Sequence, residues 1–207
     1  YAGFVQPETN TGGVENILER GVIAGCDTEI VDEFPQNFAA STQTAREIPA
    51  GKVAYALRAG EGERLVVADQ LFAFLGKNEQ SDGRFFTLLT EGPKGDMVPP
   101  HFHDHHTECF FCLEGKMTMI VGQETIEIGP GDFLHVTPGT VHGYQLSANY
   151  TQFIGFLVPG IFEKFFGILG DAYEPKIYPQ EPRPFRFDRV IARLDELDLV
   201  LMGKPGE

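Results

Sequence analysis

Short runs of β-branched and aromatic residues fill the middle of the chain and predict β-strands. Gly, Pro and Asn residues separate these runs, as they do at tight turns between short strands. The predicted strands cover residues 64–68, 71–75, 84–90, 97–102, 108–113, 116–121, 124–128, 133–136, 141–146 and 151–158. Many short strands joined by tight turns are typical of a sandwich or barrel, so we expect an all-β fold.

Two stretches after the last strand follow a helical period instead. Residues 160–169 place four apolar side chains on one helix face, and Gly170 is expected to end that helix. Residues 189–197 carry a second apolar stripe, with Asp188 as the expected N-cap. We expect both stripes to be packing surfaces. The first helix would either cover the mouth of the barrel or pack on its outside.

Residues 1–50 show neither the strand period nor the helix period clearly. Residues 2–7 (AGFVQP) resemble residues 154–159 (IGFLVP), and a helix-like stretch follows in both cases. This short match predicts that Tyr1 begins inside the last strand of an earlier, similar domain. Because the sequence opens at Tyr1 and not at a methionine, we expect a processed chain or a fragment of a longer one.

Composition and charge narrow the classes of partner. The 207 residues include 42% hydrophobic residues, enough for one core, and no run of eighteen apolar residues that would span a bilayer. The net charge of −14 repels phosphate backbones and anionic lipids. Neither nucleic acid nor a membrane is therefore an expected partner. The compartment stays open between cytoplasm and secretion, although Asn149-Tyr150-Thr151 is a glycosylation sequon.

The three cysteines do not suggest a disulfide framework. Cys109 and Cys112 form a CxxC pattern, with Cys26 far away in sequence. The pair falls within a predicted strand, where residues three apart point to opposite faces. We therefore interpret both as small hydrophobic residues of a barrel wall and not as a metal or redox pair.

The histidines form the most informative cluster in the sequence. All six lie between His101 and His142. In a strand, His101 and His103 point to one face because they are two residues apart. Glu108 opens the next strand after a short turn, and His142 comes from a third strand. Three imidazoles and a carboxylate that converge inside a barrel would suit one divalent transition metal, with Fe, Mn, Co, Ni and Cu as candidates.

The other three histidines are not expected to be metal ligands. A His-rich stretch can also be an exposed loop that binds metal adventitiously, but the prolines before it and the apolar strand after it favour a structural site. We expect His105 and His106, in the turn between ligands, to face solvent or the rim. His135 is expected to be a hydrogen-bonded core residue.

The spacing of these residues resembles the cupin family. The first cupin motif is matched by Gly95, His101-x-His103, Glu108 and Gly115. The second is matched more loosely by Gly131-Asp132 and Gly139-x-x-His142, with Thr137 at the usual proline and Leu146 at the usual asparagine. The resemblance implies a double-stranded β-helix, or jelly-roll, barrel with a few peripheral helices.

Longer segments resemble the flavonol (quercetin) 2,3-dioxygenases, and among them the second half of the two-cupin bacterial type. The resemblance covers residues 53–204 and is carried by Gly60–Arg64, Glu91–Asp96, His106–Gly115, Pro130–Val136 and Leu157–Glu163. It implies cleavage of the flavonol heterocyclic ring with dioxygen and release of carbon monoxide. It also implies that Glu108 is both a metal ligand and the proton acceptor for the substrate.

The same resemblance implies an organisation into three parts. Residues 1–50 would be the end of a preceding cupin-like unit plus a linker, residues 51–160 the metal-binding barrel, and residues 161–207 a C-terminal helical extension packed on the barrel. The chain would then pair with another cupin domain, which is either a missing first half or a second copy.

Strand periodicity extends the site to a pocket. If Glu108 faces inward, Phe110, Met117, Met119 and Tyr144 share that side of the barrel. Such side chains would suit a flat aromatic substrate, or they would simply fill the barrel. The sequence fits a substrate pocket and simple filling of the barrel equally well.

Two other functions are weighed against flavonol cleavage. Another metal cupin, such as a pirin-like oxygenase or a sugar-phosphate isomerase, is the first. An isomerase needs cations for phosphate, whereas the strands from Glu108 to Leu157 contain only Lys116. A non-catalytic binding cupin is the second, and the complete ligand set disfavours it.

Overall fold

Alternation of inward and outward residues builds two antiparallel sheets in the computed structural model, which describes residues 43–44 and 47–202. In the strand Phe86–Gly92, for example, every second residue is buried, as expected for a sheet with one face on a core. The strands are β1 (Gln43–Thr44), β2 (Tyr55–Ala56), β3 (Arg64–Val67), β4 (Gln70–Gly76), β5 (Phe86–Gly92), β6 (His101–Phe102), β7 (Thr107–Glu114), β8 (Met117–Val121), β9 (Glu124–Ile128), β10 (Phe133–Val136), β11 (His142–Leu146), β12 (Thr151–Val158), β13 (Asp171–Ala172) and β14 (Val200–Leu201).

The sheets have seven and five strands. The larger runs in the order β10-β7-β12-β5-β4-β3-β13, and the smaller in the order β14-β6-β11-β8-β9. Strands β1 and β2 form a separate parallel pair. The prediction of an all-β jelly roll is confirmed. The predicted strand bounds at 124–128, 133–136 and 151–158 are the observed ones.

Among the described residues, the helices are few and short, and they lie at the periphery of the sheets. They are α1 (Asn78–Ser81), a 3₁₀-helix (Gly160–Phe162), α2 (Glu163–Leu169), α3 (Phe187–Ile191) and a second 3₁₀-helix (Leu194–Glu196). The first predicted helix thus forms over the expected residues, with a 3₁₀ turn at its start. None of the helices within the described residues is long and apolar enough to cross a membrane.

The second predicted helix is wrong in its start and its length. The N-cap is Arg186 and not Asp188, and the helix ends at Ile191. Asp188 instead accepts hydrogen bonds from the Arg186 guanidinium at 3.1 and 3.2 Å. The chain leaves the helical path at Arg193 because it must turn to pack Leu199 into the core, and tertiary packing outweighs a short helical period.

The C-terminal segment also joins both sheets, which the sequence did not predict. Strand β13 pairs with β3 at the edge of the larger sheet. Strand β14 pairs with β6 at the edge of the smaller one. The C-terminal residues therefore extend the barrel itself, in addition to the helical contacts that they make.

Two apolar clusters form the core of the part of the chain that the structure describes. One is built around Phe86 and Phe166 from the larger sheet and α2. The other contains Met117, Met119 and Cys112, all fully buried. Cys112 and Cys109 are free thiols, as predicted for two residues on opposite faces of one strand. Cys26 and the repeat at residues 2–7 lie outside the described residues.

Candidate metal centre

The four predicted ligand side chains come together between the two sheets. His101 is the first residue of β6 and His142 the first of β11, and these two residues are direct cross-strand partners. His103 follows β6, while Glu108 is the second residue of β7 in the larger sheet. One donor atom from each of the four lies within 4.8 Å of the others. The smaller sheet thus supplies two imidazoles, the segment after β6 supplies the third, and the larger sheet supplies the carboxylate.

The distances within the group suit one small cation. Glu108 Oε2 lies 3.3 Å from His103 Nε2 and 3.1 Å from His142 Nε2. Nitrogen and oxygen ligands that are each about 2.0–2.2 Å from the same ion have separations of this order. The side chains of His103 and His142 are 2% and 1% exposed, so bulk water does not separate the donor atoms.

The second ring nitrogen of each histidine fixes its tautomer. The Nδ1 atoms of His101, His103 and His142 lie 2.7, 2.6 and 2.9 Å from backbone carbonyl oxygens. Because a carbonyl can only accept, each Nδ1 must donate its proton, and a neutral ring then presents a lone pair at Nε2. Three Nε2 lone pairs and a carboxylate face one point. Such a set of acceptors could hold a cation, either a metal ion or a proton, and this orientation by carbonyls is typical of metal-ligating histidines.

Charge and burial favour metal binding by these four side chains at neutral pH. Burial, helped by the neighbouring His142, lowers the pKa of His101 to about 4, so this ring is neutral. Burial raises the pKa of Glu108, but the imidazoles of His103 and His142 outweigh that effect and hold it well below its usual value. Burial lowers the pKa of His142, yet contact with Glu108 raises it overall. A divalent cation would take the place of the proton that Glu108 stabilises on His142.

The expectations for the other histidines are partly wrong. His105 is exposed as expected, but His106 is 1% exposed, and its Nδ1 lies 2.7 Å from Asp198 Oδ2. His135 is exposed on β10 and is not a core residue. The register of this strand turns Val136 inward, and therefore His135 outward. Sequence reasoning could not find the contact between His106 and Asp198, because 92 residues separate the two.

A cavity of about 430 Å³ opens beside the metal centre. His101, Glu108, Phe110 and Tyr144 line it, and the Tyr144 hydroxyl donates to Gln70 Oε1 at 2.9 Å. Most of the remaining wall is apolar. Its aromatic members include Phe72, Phe153, Phe162, Phe165, Phe166, Phe185 and Phe187.

The predicted pocket residues do not all reach this cavity. Met117 and Met119 are 0% exposed and belong to the core cluster of Phe110 and Phe153, outside the cavity wall. The two-residue period of a strand predicts which side chains point into the barrel, but not how far along the barrel these side chains lie. The helix α2 supplies three of the aromatic wall residues together with the turn before it, so it borders the cavity. Ile168 and Leu169 of the same helix belong to the core cluster of Phe86.

Comparison with known proteins agrees with this site. The family model described as a cupin domain matches residues 88–149, a range that contains the four ligand candidates. Quercetin 2,3-dioxygenase of Bacillus subtilis is 45% identical over 188 residues, which are 91% of this chain and 55% of that protein. Quercetin 2,3-dioxygenase of Aspergillus japonicus is 32% identical over 124 residues, 56% of this chain and 35% of that protein.

Among solved structures, a predicted oxalate decarboxylase from Thermotoga maritima is 17% identical, with a TM-score of 0.47 over 50% of this chain and 98% of that chain. The chain spans about half the length of the first curated relative. The chain thus contains a cupin domain within its jelly-roll fold and is similar to quercetin 2,3-dioxygenases.

Proposed function

We propose that this chain is the catalytic cupin of a metal-dependent dioxygenase that cleaves the heterocyclic ring of flavonols such as quercetin and releases carbon monoxide. The observation that carries the proposal is the convergence of His101, His103, Glu108 and His142 at the wall of an aromatic-lined cavity. Two relatives named quercetin 2,3-dioxygenase support the substrate class.

The ligand set suits one divalent transition metal, with Fe, Mn, Co, Ni and Cu as candidates, because imidazole and carboxylate bind all of these. When bound, the metal would supply Lewis acidity and the chemistry of dioxygen. Three neutral imidazoles and the Glu108 carboxylate would leave about one net positive charge. That charge favours a deprotonated hydroxyl of the substrate over a neutral ligand.

Glu108 is proposed to accept the proton of the flavonol 3-hydroxyl. It is the single carboxylate of the ligand group, and it also lines the cavity. Contacts with two imidazoles hold its pKa below the usual value, so it is ionised at neutral pH, which is the form in which a carboxylate can accept a proton. Proton acceptance and metal ligation would thus fall to one side chain.

The cavity suits a flat aromatic molecule. Its volume of about 430 Å³ lies within the usual range of small-molecule sites, about 300–1,000 Å³. Phe110 and Tyr144 are the proposed substrate contacts near the metal centre. Met117 and Met119 do not line the cavity and are not among the proposed contacts.

Phosphorylated sugars fit the cavity less well. Within the described residues, Arg183 is the one cationic side chain of the wall, which also contains Asp69, Asp96 and Glu108. A phosphate group would meet more negative than positive charge there. The isomerase alternative therefore gains no support from the cavity.

Pairing with another cupin domain is the second part of the proposal. Strands β10, β7 and β12 are neighbours in the larger sheet, and their outer face exposes apolar side chains. These are Phe111 (39% exposed), Leu113 (38%), Phe133 (61%), Phe156 (37%) and Val158 (40%). A contiguous apolar surface of this kind is typical of an interaction site. Either a preceding cupin unit or a second copy of the chain would cover it.

The activity is tested by loading the purified protein with each candidate metal and adding quercetin under oxygen and under nitrogen. We expect loss of the flavonol absorbance and formation of carbon monoxide only with oxygen. His142→Ala protein treated in the same way is the control and should be inactive. An unchanged quercetin spectrum under oxygen at full metal occupancy would refute the proposed activity.

A further inference from the structure

Residues 198–202 lie along the segment that carries two of the histidine ligands. Leu201 pairs with His101 and Val200 with Phe102 in the β14–β6 ladder. The backbone N–H of Met202 donates to Pro100 O at 3.1 Å. The C-terminal strand therefore fixes the backbone of this segment up to the first ligand.

Asp198 continues this contact beyond the ladder. Its Oδ1 accepts a hydrogen bond from the backbone N–H of Asp104 at 2.9 Å, and its Oδ2 accepts one from His105 at 3.0 Å. The same Oδ2 accepts from His106 Nδ1 at 2.7 Å. The carboxylate is 7% exposed. Three donors from one turn thus converge on a single buried carboxylate, and such charge-assisted hydrogen bonds are the strong ones.

The backbone of Asp198 acts on a ligand directly. Its carbonyl oxygen lies 2.6 Å from His103 Nδ1, which fixes the tautomer that presents Nε2 to Glu108. Asp198 therefore acts in two ways. Its carbonyl orients the ring of the ligand His103, and its carboxylate holds the turn that follows this ligand.

His106 links the carboxylate to the ligand ring. The ring centroids of His106 and His103 are 3.9 Å apart with an interplanar angle of 30°. On the helix side, Phe162 lies 4.8 Å from His106 at 31°. The Nε2 of His106 has no hydrogen-bond partner within the described part of the chain, and His106 is not part of the cavity wall. Its polar contact is the one to Asp198, and its ring supports His103.

We propose that Asp198 and His106 form a positioning pair that holds His103 in its metal-binding orientation. Asp198 fixes the turn 104–106 and the His106 ring, and that ring packs on His103. The inference rests on the proposed metal site and adds two positioning residues to it. Neither residue touches the cavity, so neither is a catalytic residue.

Asp198→Asn tests the pair with Co²⁺ as the probe. An asparagine keeps the size but offers one accepting oxygen to three donors, and its amide group must face an N–H. We expect the dissociation constant for Co²⁺ to rise by about 10–100-fold, the usual effect of losing a residue that orients a metal ligand. The visible absorption of bound Co²⁺ should also change, because the ring of His103 is no longer held at one angle. His106→Phe, which keeps the stack but loses the hydrogen bond, should weaken binding less than Asp198→Asn.

Two controls separate positioning from charge and from stability. Asp195→Asn makes the same charge change at an exposed carboxylate three residues earlier and should leave Co²⁺ affinity unchanged. Val190→Ala opens a cavity at a fully buried core position, lowers the melting temperature, and should leave both affinity and absorption unchanged.

Tight Co²⁺ binding with an unchanged spectrum in Asp198→Asn would overturn the inference while the metal site stands. An equal loss of affinity in Val190→Ala would also overturn it, since destabilisation alone would then explain the result. If wild-type protein bound no Co²⁺, the metal site and this inference would both be rejected.

Discussion

Glu108 is the residue on which the ligand group and the proposed proton transfer both depend. It faces two imidazoles at 3.3 and 3.1 Å and also borders the cavity. The histidines around it are held by backbone carbonyls, so their orientation does not depend on the carboxylate. Changing Glu108 therefore alters charge and basicity more than it alters the position of the three rings.

Glu108→Gln should retain some metal but lose flavonol turnover by at least about 100-fold, the lower range for removal of a general base. The amide oxygen remains a weak ligand, whereas the amide cannot accept the substrate proton. Metal content and quercetin consumption measured on the same preparation distinguish the two effects. Glu114→Gln, an exposed position on the same strand, is the matched control and should behave as wild type. Wild-type turnover in Glu108→Gln would exclude the role as proton acceptor.

The ligand candidates can be predicted from the sequence because their spacing is local. The residues that orient these ligands cannot be predicted in this way. His101 and His103 share a face because strands repeat every two residues, and this information is contained in three consecutive positions. Asp198 reaches the same site from 95 residues away, with no local pattern that predicts it. Met117 and Met119 show the opposite limit, since periodicity predicts their face correctly but not their depth in the core.

At the scale of elements, β11 is placed by a glycine between two site residues. A Cβ on Gly143 would lie 2.6 Å from Val98 O and 3.4 Å from Pro100 N. The segment before β6 therefore passes directly over this position. Since β6 carries His101, the close approach at Gly143 helps to set the spacing between His101 and His142.

Gly143→Ala should lower the melting temperature and weaken metal binding, because backbone atoms cannot move aside as a flexible side chain can. Gly167→Ala is the matched control: this helical glycine of α2 has open space around it. Alanine is the better helix former by about 0.5–1 kcal/mol, so this variant should be slightly more stable. Thermal melting with and without Co²⁺ measures both effects. A Gly143→Ala protein with wild-type melting and affinity would show that the close approach is not needed.

The C-terminal elements are those that the sequence predicts least well. Barrel strands with clear alternation, such as β9 and β12, were predicted with their observed bounds. The short strands β13 and β14 have two residues each, too few for a period to appear. Helix α3 is shorter than predicted because the chain turns to bury Leu199, and that demand arises from the fold of the whole barrel.

At the scale of the whole molecule, one sheet presents an apolar outer face while the space between the sheets holds the site. Phe133 and Phe111 are cross-strand partners on that face and are 61% and 39% exposed. If a second copy covers it, Phe133→Ser should reduce self-association in sedimentation velocity. Ile177→Ser, at a side chain that is 60% exposed outside the sheet strands, should not. Equal self-association of wild type and Phe133→Ser would contradict pairing of two copies through this face.

Four side chains from three strands and one connecting segment are proposed to hold a single metal ion between the sheets. The most direct measurement is metal content per chain by elemental analysis after reconstitution and dialysis, with circular dichroism to verify folding. We expect about one equivalent for wild type and for His135→Ala, whose histidine is exposed. His142→Ala should retain almost none, since removing one of three imidazoles breaks the ligand set. A folded His142→Ala protein with one full equivalent of metal would contradict a metal site at these four side chains.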